Sequence, residues 1–210
     1  MTGFRYGLGG AQGRFGVCPD LTCVGKALAN GYPLAALCGR QDLMALFEDG
    51  NVFMSATHAA HPVSLAAANA TLETLRMTDA LSTLARQGER LGNELQQLCM
   101  DLALPVTLLG NEARMVLRWH PDPQGRASMP EIRTLWQEQT LAHGVLFYGN
   151  GPTFTMTCLT EADVDEILAA ATAACHVIRE ALDAGTVRET LQGPVLETDA
   201  FGARYPVAPR

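Results

Sequence analysis

Two kinds of hydrophobic pattern divide this sequence. Up to about residue 60, apolar positions come in short runs broken by glycine, proline and small polar residues. Residues 20–25 read as a short strand leading to Lys26. Leu34-Ala35-Ala36-Leu37-Cys38 is an unbroken apolar run between Pro33 and Gly39 and predicts a buried strand. Gln41 to Phe47 predicts a short helix, Asp49-Gly50-Asn51 a turn, and Val52-Phe53-Met54 a further strand before the small polar loop Ser55–His58. Residues 3–16 carry six glycines and read as loop.

From Pro62 the period changes to that of a helix. Pro62 suits a first helical turn, where its missing N–H is not needed. Alanine and leucine run on from Val63 to Met77. A second helix is expected after Asp79, a good N-cap. Leu81, Leu84, Ala85, Gly88, Leu91, Leu95, Leu98 and Leu102 form its apolar stripe, and Pro105 ends it. Val106–Leu109 and Met115–Trp119 are strand candidates. Ser128 and Glu131 make a capping box that opens a helix to about His143, with Gly144 beyond its end. Val145–Tyr148 and Phe154–Cys158 read as strands joined by Gly149-Asn150-Gly151-Pro152. Thr160 and Asp163 begin a last helix reaching about Leu182.

The pattern predicts an α/β chain in three parts. Residues 1–78 form a fragmentary α/β layer with a long helix. Residues 79–182 form a smaller α+β domain. Residues 183–210 form a tail of weak periodicity, expected to pack loosely or stay disordered. With 48% apolar residues the 210-residue chain can bury a real core. Its net charge of −7 argues against nucleic acid or an anionic membrane as partner. No apolar run is long enough to span a bilayer, and the N-terminus lacks a signal-peptide stretch, so a cytoplasmic location is expected. The six cysteines contain no CxxC pair and read as reduced, mostly buried thiols. His58 and His61 share a spacing that two metal ligands could use, but no third ligand stands at metal spacing, and no metal is expected.

Candidate chemistry centres on Lys26, set in Asp20-Leu21-Thr22-Cys23-Val24-Gly25-Lys26-Ala27-Leu28-Ala29-Asn30-Gly31-Tyr32-Pro33. Two readings are open on the residues alone. The lysine can cap a short strand and reach solvent. Alternatively its amine is held for chemistry: a desolvated lysine is a nucleophile that forms imines with aldehydes, of which pyridoxal phosphate is the common biological example.

Flanking strings favour the second reading. Met1-Thr2-Gly3-Phe4-Arg5, Gly9-Gly10-Ala11-Gln12, Pro19-Asp20-Leu21-Thr22 and Gly25-Lys26-Ala27-Leu28-Ala29-Asn30-Gly31-Tyr32-Pro33 resemble class III pyridoxal-phosphate aminotransferases. Within that class they are similar to glutamate-1-semialdehyde 2,1-aminomutase and its aminotransferase relatives. Thr57-His58-Ala59-Ala60-His61-Pro62 resembles the T-x-x-x-(N/H)-P element of the same family. The resemblance covers about residues 1–182.

The resemblance implies the C-terminal part of a fold type I transferase. It implies that Lys26 is both the catalytic and the cofactor-binding lysine, forming the internal aldimine and shuttling protons. It implies that Thr57 binds the cofactor phosphate, across the interface of a homodimer. Arg5 is expected in an ion pair, and His61 is expected to be packed. The activity implied is amino-group transfer on an amino acid or amino ketone, as an aminotransferase or an aminomutase. The family's pyridine-pairing aspartate, phosphate-cup loop and ring-stacking aromatic precede the position of Met1. The alternative expectation is therefore a truncated, catalytically incomplete fragment, or a subunit that needs a partner.

Overall fold

The structure, a computed structural model, describes residues 3–148 and 151–197. Two expectations fall on residues outside these: the Gly149-Asn150 part of the 149–152 connection, and the tail beyond Glu197. The chain divides into two compact units, Met1–Ala85 and Arg86–Arg210. The boundary lies inside a helix, where the sequence places it at that helix's start.

In the first unit, a 3-10 turn, Gly3–Tyr6, precedes helix α1, Gly10–Phe15. The glycine-rich stretch expected as loop is therefore two short helical pieces, with Gly10 at φ +60° and Gly16 at φ +65° supplying the left-handed turns around α1. Strand β1, Leu21–Val24, pairs antiparallel with β2, Ala36–Gly39, in register Leu21↔Gly39 to Val24↔Ala36. The β2 run is largely exposed, not buried as its apolar composition predicts. Among the described residues its sheet has only two strands, so no further layer covers it. Helix α2 spans Gln41–Glu48. Val52-Phe53-Met54 forms no strand: it lies in an exposed, non-repetitive segment with Phe53 91% and Met54 71% accessible.

Helix α3, Pro62–Met77, starts with proline in its first turn, as the sequence predicts. Helix α4, Ala80–Asp101, begins right after Asp79, whose carbonyl accepts from the Thr83 N–H at 2.8 Å. The first unit's core is small. Leu28, Ala29 and Ala68 are buried, with Phe4, Val24, Leu34, Ala67 and Leu72 packed around them.

The second unit holds the larger core. Strands β3, Val106–Asn111, and β4, Arg114–Trp119, form an antiparallel hairpin, and β5, Thr153–Phe154, adds to the far side of β4. Helices α5, Met129–Ala142, and α6, Glu161–Ala184, pack with the C-terminal part of α4 around Leu91, Leu95, Met115, Trp119, Leu135 and Ile178. The predicted capping box at Ser128 is present, with Ser128 N–H donating to Glu131 Oε2 at 2.8 Å. Thr160 and Asp163, expected to begin the last helix, form a second one, with Asp163 N–H donating to Thr160 Oγ1 at 3.1 Å. Val145–Tyr148 is not a strand. Phe147 is buried 5.0 Å (ring centroids) from Trp136, while Leu146 is exposed, so side-chain packing alone accounts for the alternation. Of the predicted strand Phe154–Cys158 only Phe154 is in a strand: β5 is Thr153–Phe154, the two residues that find a partner on β4.

Residues 186–197 correct the expectation of a loose tail. Helix α7, Val187–Thr190, buries Val187, and the chain then follows α5. Gln192 and Gly193 N–H donate to the Glu138 carboxylate at 3.0 and 2.9 Å, and Leu196 N–H donates to Thr134 Oγ1 at 3.0 Å. These ties run from backbone to side chain, which is why no periodicity announced them.

Candidate functional site

The connection from β1 to β2 carries Lys26. Gly25 is fully extended, at φ −177°. A Cβ there would sit 3.4 Å from the Leu34 carbonyl oxygen, an ordinary contact distance between the two arms. Lys26 then enters a 3-10 turn, Lys26–Leu28, closed by Leu28 N–H donating to Gly25 O at 3.1 Å. Lys26 adopts φ +51°, the left-handed region, which costs an L-residue about 1–2 kcal/mol. Such strain persists only where the surroundings enforce it, and it gathers at functional sites. Enforcement here comes from two residues just downstream: Leu28 and Ala29 are 8% and 0% accessible, packed on α3 at Ala68. Lys26 itself is exposed, and among the described residues its ammonium has no hydrogen-bond or ion-pair partner.

Lys26 is also the only lysine in the chain. Of its 15 lysine and arginine residues, 14 are arginines. Counting lysines separately from arginines exposes this from sequence alone. The left-handed backbone of Lys26 is not visible there, because it depends on how Leu28 and Ala29 dock.

Thr57 lies in the wholly exposed segment 51–61, in the turn closed by Ala59 N–H donating to Ala56 O at 3.0 Å. His61, expected to be packed, is exposed, and it serves as the N-cap residue of α3 through its backbone. The rings of His58 and His61 stand 6.4 Å apart, edge to face. Four cysteines, Cys18, Cys23, Cys38 and Cys158, are exposed, which corrects the expectation of mostly buried thiols. The short two-stranded sheet leaves Cys23 and Cys38 uncovered. Cys99 and Cys175 are buried, and a hydrogen bond between them holds the Cys99 thiol below, and the Cys175 thiol above, the ordinary range.

Ser64, which sequence reasoning passed over, is the third residue of α3 and 1% accessible. Its hydroxyl has no hydrogen-bond partner. A buried unpaired hydroxyl costs about 1–3 kcal/mol, so this one calls for an explanation.

A family model, aminotransferase class-III, matches residues 1–171. The chain belongs to the class-III aminotransferases. Among class-III relatives it is 35% identical over 144 residues to a 3-aminobutyryl-CoA aminotransferase of Cloacimonas acidaminovorans, covering 69% of this chain and 34% of that protein. It is 32% identical over 205 residues to a glutamate-1-semialdehyde 2,1-aminomutase of Halorubrum lacusprofundi, covering 81% and 46%. In fold it matches the PLP internal aldimine form of the FumI protein of Sphingopyxis sp. MTA144, with a TM-score of 0.73 and 28% identity over 86% of this chain and 42% of that one. An omega-transaminase from Sphaerobacter thermophilus gives the same TM-score at 22% identity, covering 84% and 42%. The fold is thus that of the fold type I transaminases, and this class-III chain spans between a third and about half of the length of these relatives.

Proposed function

We propose that this chain carries the lysine of a pyridoxal-phosphate site, and that the protein it serves transfers an amino group to or from an amino acid or amino ketone. The observation that carries this reading is the state of Lys26. The only side-chain primary amine in the molecule is exposed, lacks a polar partner and sits on a strained turn anchored by buried neighbours. These residues fit the cofactor, because joining an aldehyde requires a lysine nitrogen that is not committed to an ion pair.

When bound, pyridoxal phosphate supplies an electron sink for the bond to be broken at the substrate's amine-bearing carbon. Lys26 Nζ would hold the cofactor, and the same nitrogen would take and return the proton at the substrate carbon. The Thr57 hydroxyl would donate to the phosphate. The exposure of Phe53 and Met54 beside it supports a second copy of this chain as the surface that covers segment 51–61. Aminotransferase and aminomutase use the same machinery, and relatives of both kinds match this chain.

The test is reductive trapping. The chain is incubated with pyridoxal phosphate, reduced with borohydride and peptide-mapped. One adduct per chain at Lys26, absent in Lys26→Ala, is expected. Labelling confined to the N-terminal amine, or none, overturns the reading.

A further inference from the structure

Two uncompensated features meet in the first unit. Lys26 is held in the left-handed region, and the Ser64 hydroxyl is buried without a partner. They lie on elements that pack together. The turn after Lys26 buries Leu28 and Ala29 against α3 at Ala68. Ser64 precedes Ala68 by four residues, so it lies on the same face of α3, one turn nearer the helix start.

Neither feature has a local remedy. Thr71, Thr74 and Thr78 bond back to the carbonyl four residues earlier, at 2.8, 2.8 and 2.7 Å. Ser64 stands third in α3, and the residue four before it, Ala60, lies outside the helix at φ +52°, so the helix offers its hydroxyl no such acceptor. A glycine would remove the strain at residue 26, but it would also remove the amine. An unpaired donor on the helix face that packs against a strained turn is a candidate for pairing in another conformation of that turn.

We propose that Ser64 is a positioning residue for Lys26. Its hydroxyl donates to a carbonyl oxygen of the Lys26–Leu28 turn when Lys26 is covalently joined to the cofactor aldehyde. The joining condenses the lysine amine with the aldehyde and releases water, with the amine's protons leaving in that water and to solvent. The ammonium that Nζ presents to solvent is thereby tied to a fixed group. The turn then adjusts, the Ser64 hydroxyl gains an acceptor, and the hydrogen bond holds Nζ in place. This inference rests on the proposed role of Lys26 as the cofactor lysine.

The experiment compares the wild-type chain with Ser64→Ala and Ser64→Thr. Pyridoxal phosphate is titrated by the visible absorbance of the Lys26 adduct, and melting temperature is measured with and without it. In Ser64→Ala the half-saturating concentration is expected to rise about fivefold or more, consistent with loss of one hydrogen bond. Its melting temperature without cofactor is expected to stay level or rise, because an unpaired buried group has been removed. Ser64→Thr keeps the hydroxyl and is expected to load within about twofold of wild type. Equal loading of wild type and Ser64→Ala overturns the role of Ser64 while leaving that of Lys26 intact. If Ser64→Ala does not fold, weak loading by a folded Ser64→Thr overturns it instead, and wild-type loading supports it. A wild-type chain that forms no Lys26 adduct overturns both.

Discussion

Leu28 donates its backbone N–H to the Gly25 carbonyl at 3.1 Å, and the turn closed by that bond holds Lys26 at φ +51°. On the proposed role of Lys26, function and stability oppose each other at that residue. Lys26→Gly is expected to be more stable than Lys26→Ala by about 1 kcal/mol, since glycine accepts the left-handed region and alanine does not. Neither variant should take a borohydride-trapped label at position 26. Denaturant melts of the two proteins, followed by far-ultraviolet circular dichroism, measure the difference. Equal stability would show that the turn is not strained.

Thr57 provides a separate test of how the phosphate is held. Thr57→Ala should weaken the adduct with pyridoxal phosphate by about tenfold, the order expected for one hydrogen bond to a charged group. The adduct with pyridoxal, which has no phosphate, should be unchanged. Titrating both aldehydes against both proteins gives the comparison. An equal loss for the two would assign Thr57 to folding rather than to the phosphate.

In the second unit, the loop between β4 and α5 is organised by one carboxylate. Asp122 accepts from Arg126 Nε and Nη2 at 2.9 Å each, and from the Gln124 and Arg126 N–H groups at 3.1 Å each. The Arg126 guanidinium holds the carboxyl well below its ordinary value, at about 2. A carboxyl lowered on folding stabilises the protein above its unfolded pKa and loses that contribution as pH falls through the folded one. Asp122→Asn should therefore be less stable at neutral pH by about 2 kcal/mol, a gap that closes between about pH 4 and pH 2. The chain's two tryptophans, Trp119 and Trp136, lie in the core of this unit, 5.5 Å apart, and report its unfolding by fluorescence. A gap that stayed constant with pH would disprove the assignment.

Gly88 marks the close docking of the β3–β4 hairpin on α4. A Cβ at residue 88 would fall 1.7 Å from the Glu112 carbonyl oxygen, a backbone atom with little freedom to retreat. The same carbonyl accepts from Thr155 Oγ1 at 2.8 Å. Gly88→Ala should cost about 3 kcal/mol despite alanine's better helix propensity, because the hairpin must lift off the helix. Urea unfolding read by tryptophan fluorescence tests this.

These elements show what the sequence could and could not disclose. The α4 stripe through Leu84, Leu91 and Leu95 was legible because a helix carries its pattern internally. The capping box at Ser128 and the helix start at Thr160 were legible because their signals lie within three residues. Val52–Met54 and Val145–Tyr148 have the composition of strands, but a strand exists only by virtue of a neighbour, and neither finds one among the described residues. At the site, the string around Lys26 pointed to the lysine and its family. Its left-handed backbone and the buried Ser64 hydroxyl did not show, because both arise where the turn meets α3.

The 14-to-one excess of arginine over lysine has an outcome of its own. Guanidinium groups neither condense readily with aldehydes nor accept the acyl groups that modify amines, so a reagent selective for ε-amines sees one address in this molecule. Occupancy of that address can be read as a single step in intact mass. Acetylation there would convert the nitrogen to an amide and silence it, with no second lysine to blur the count.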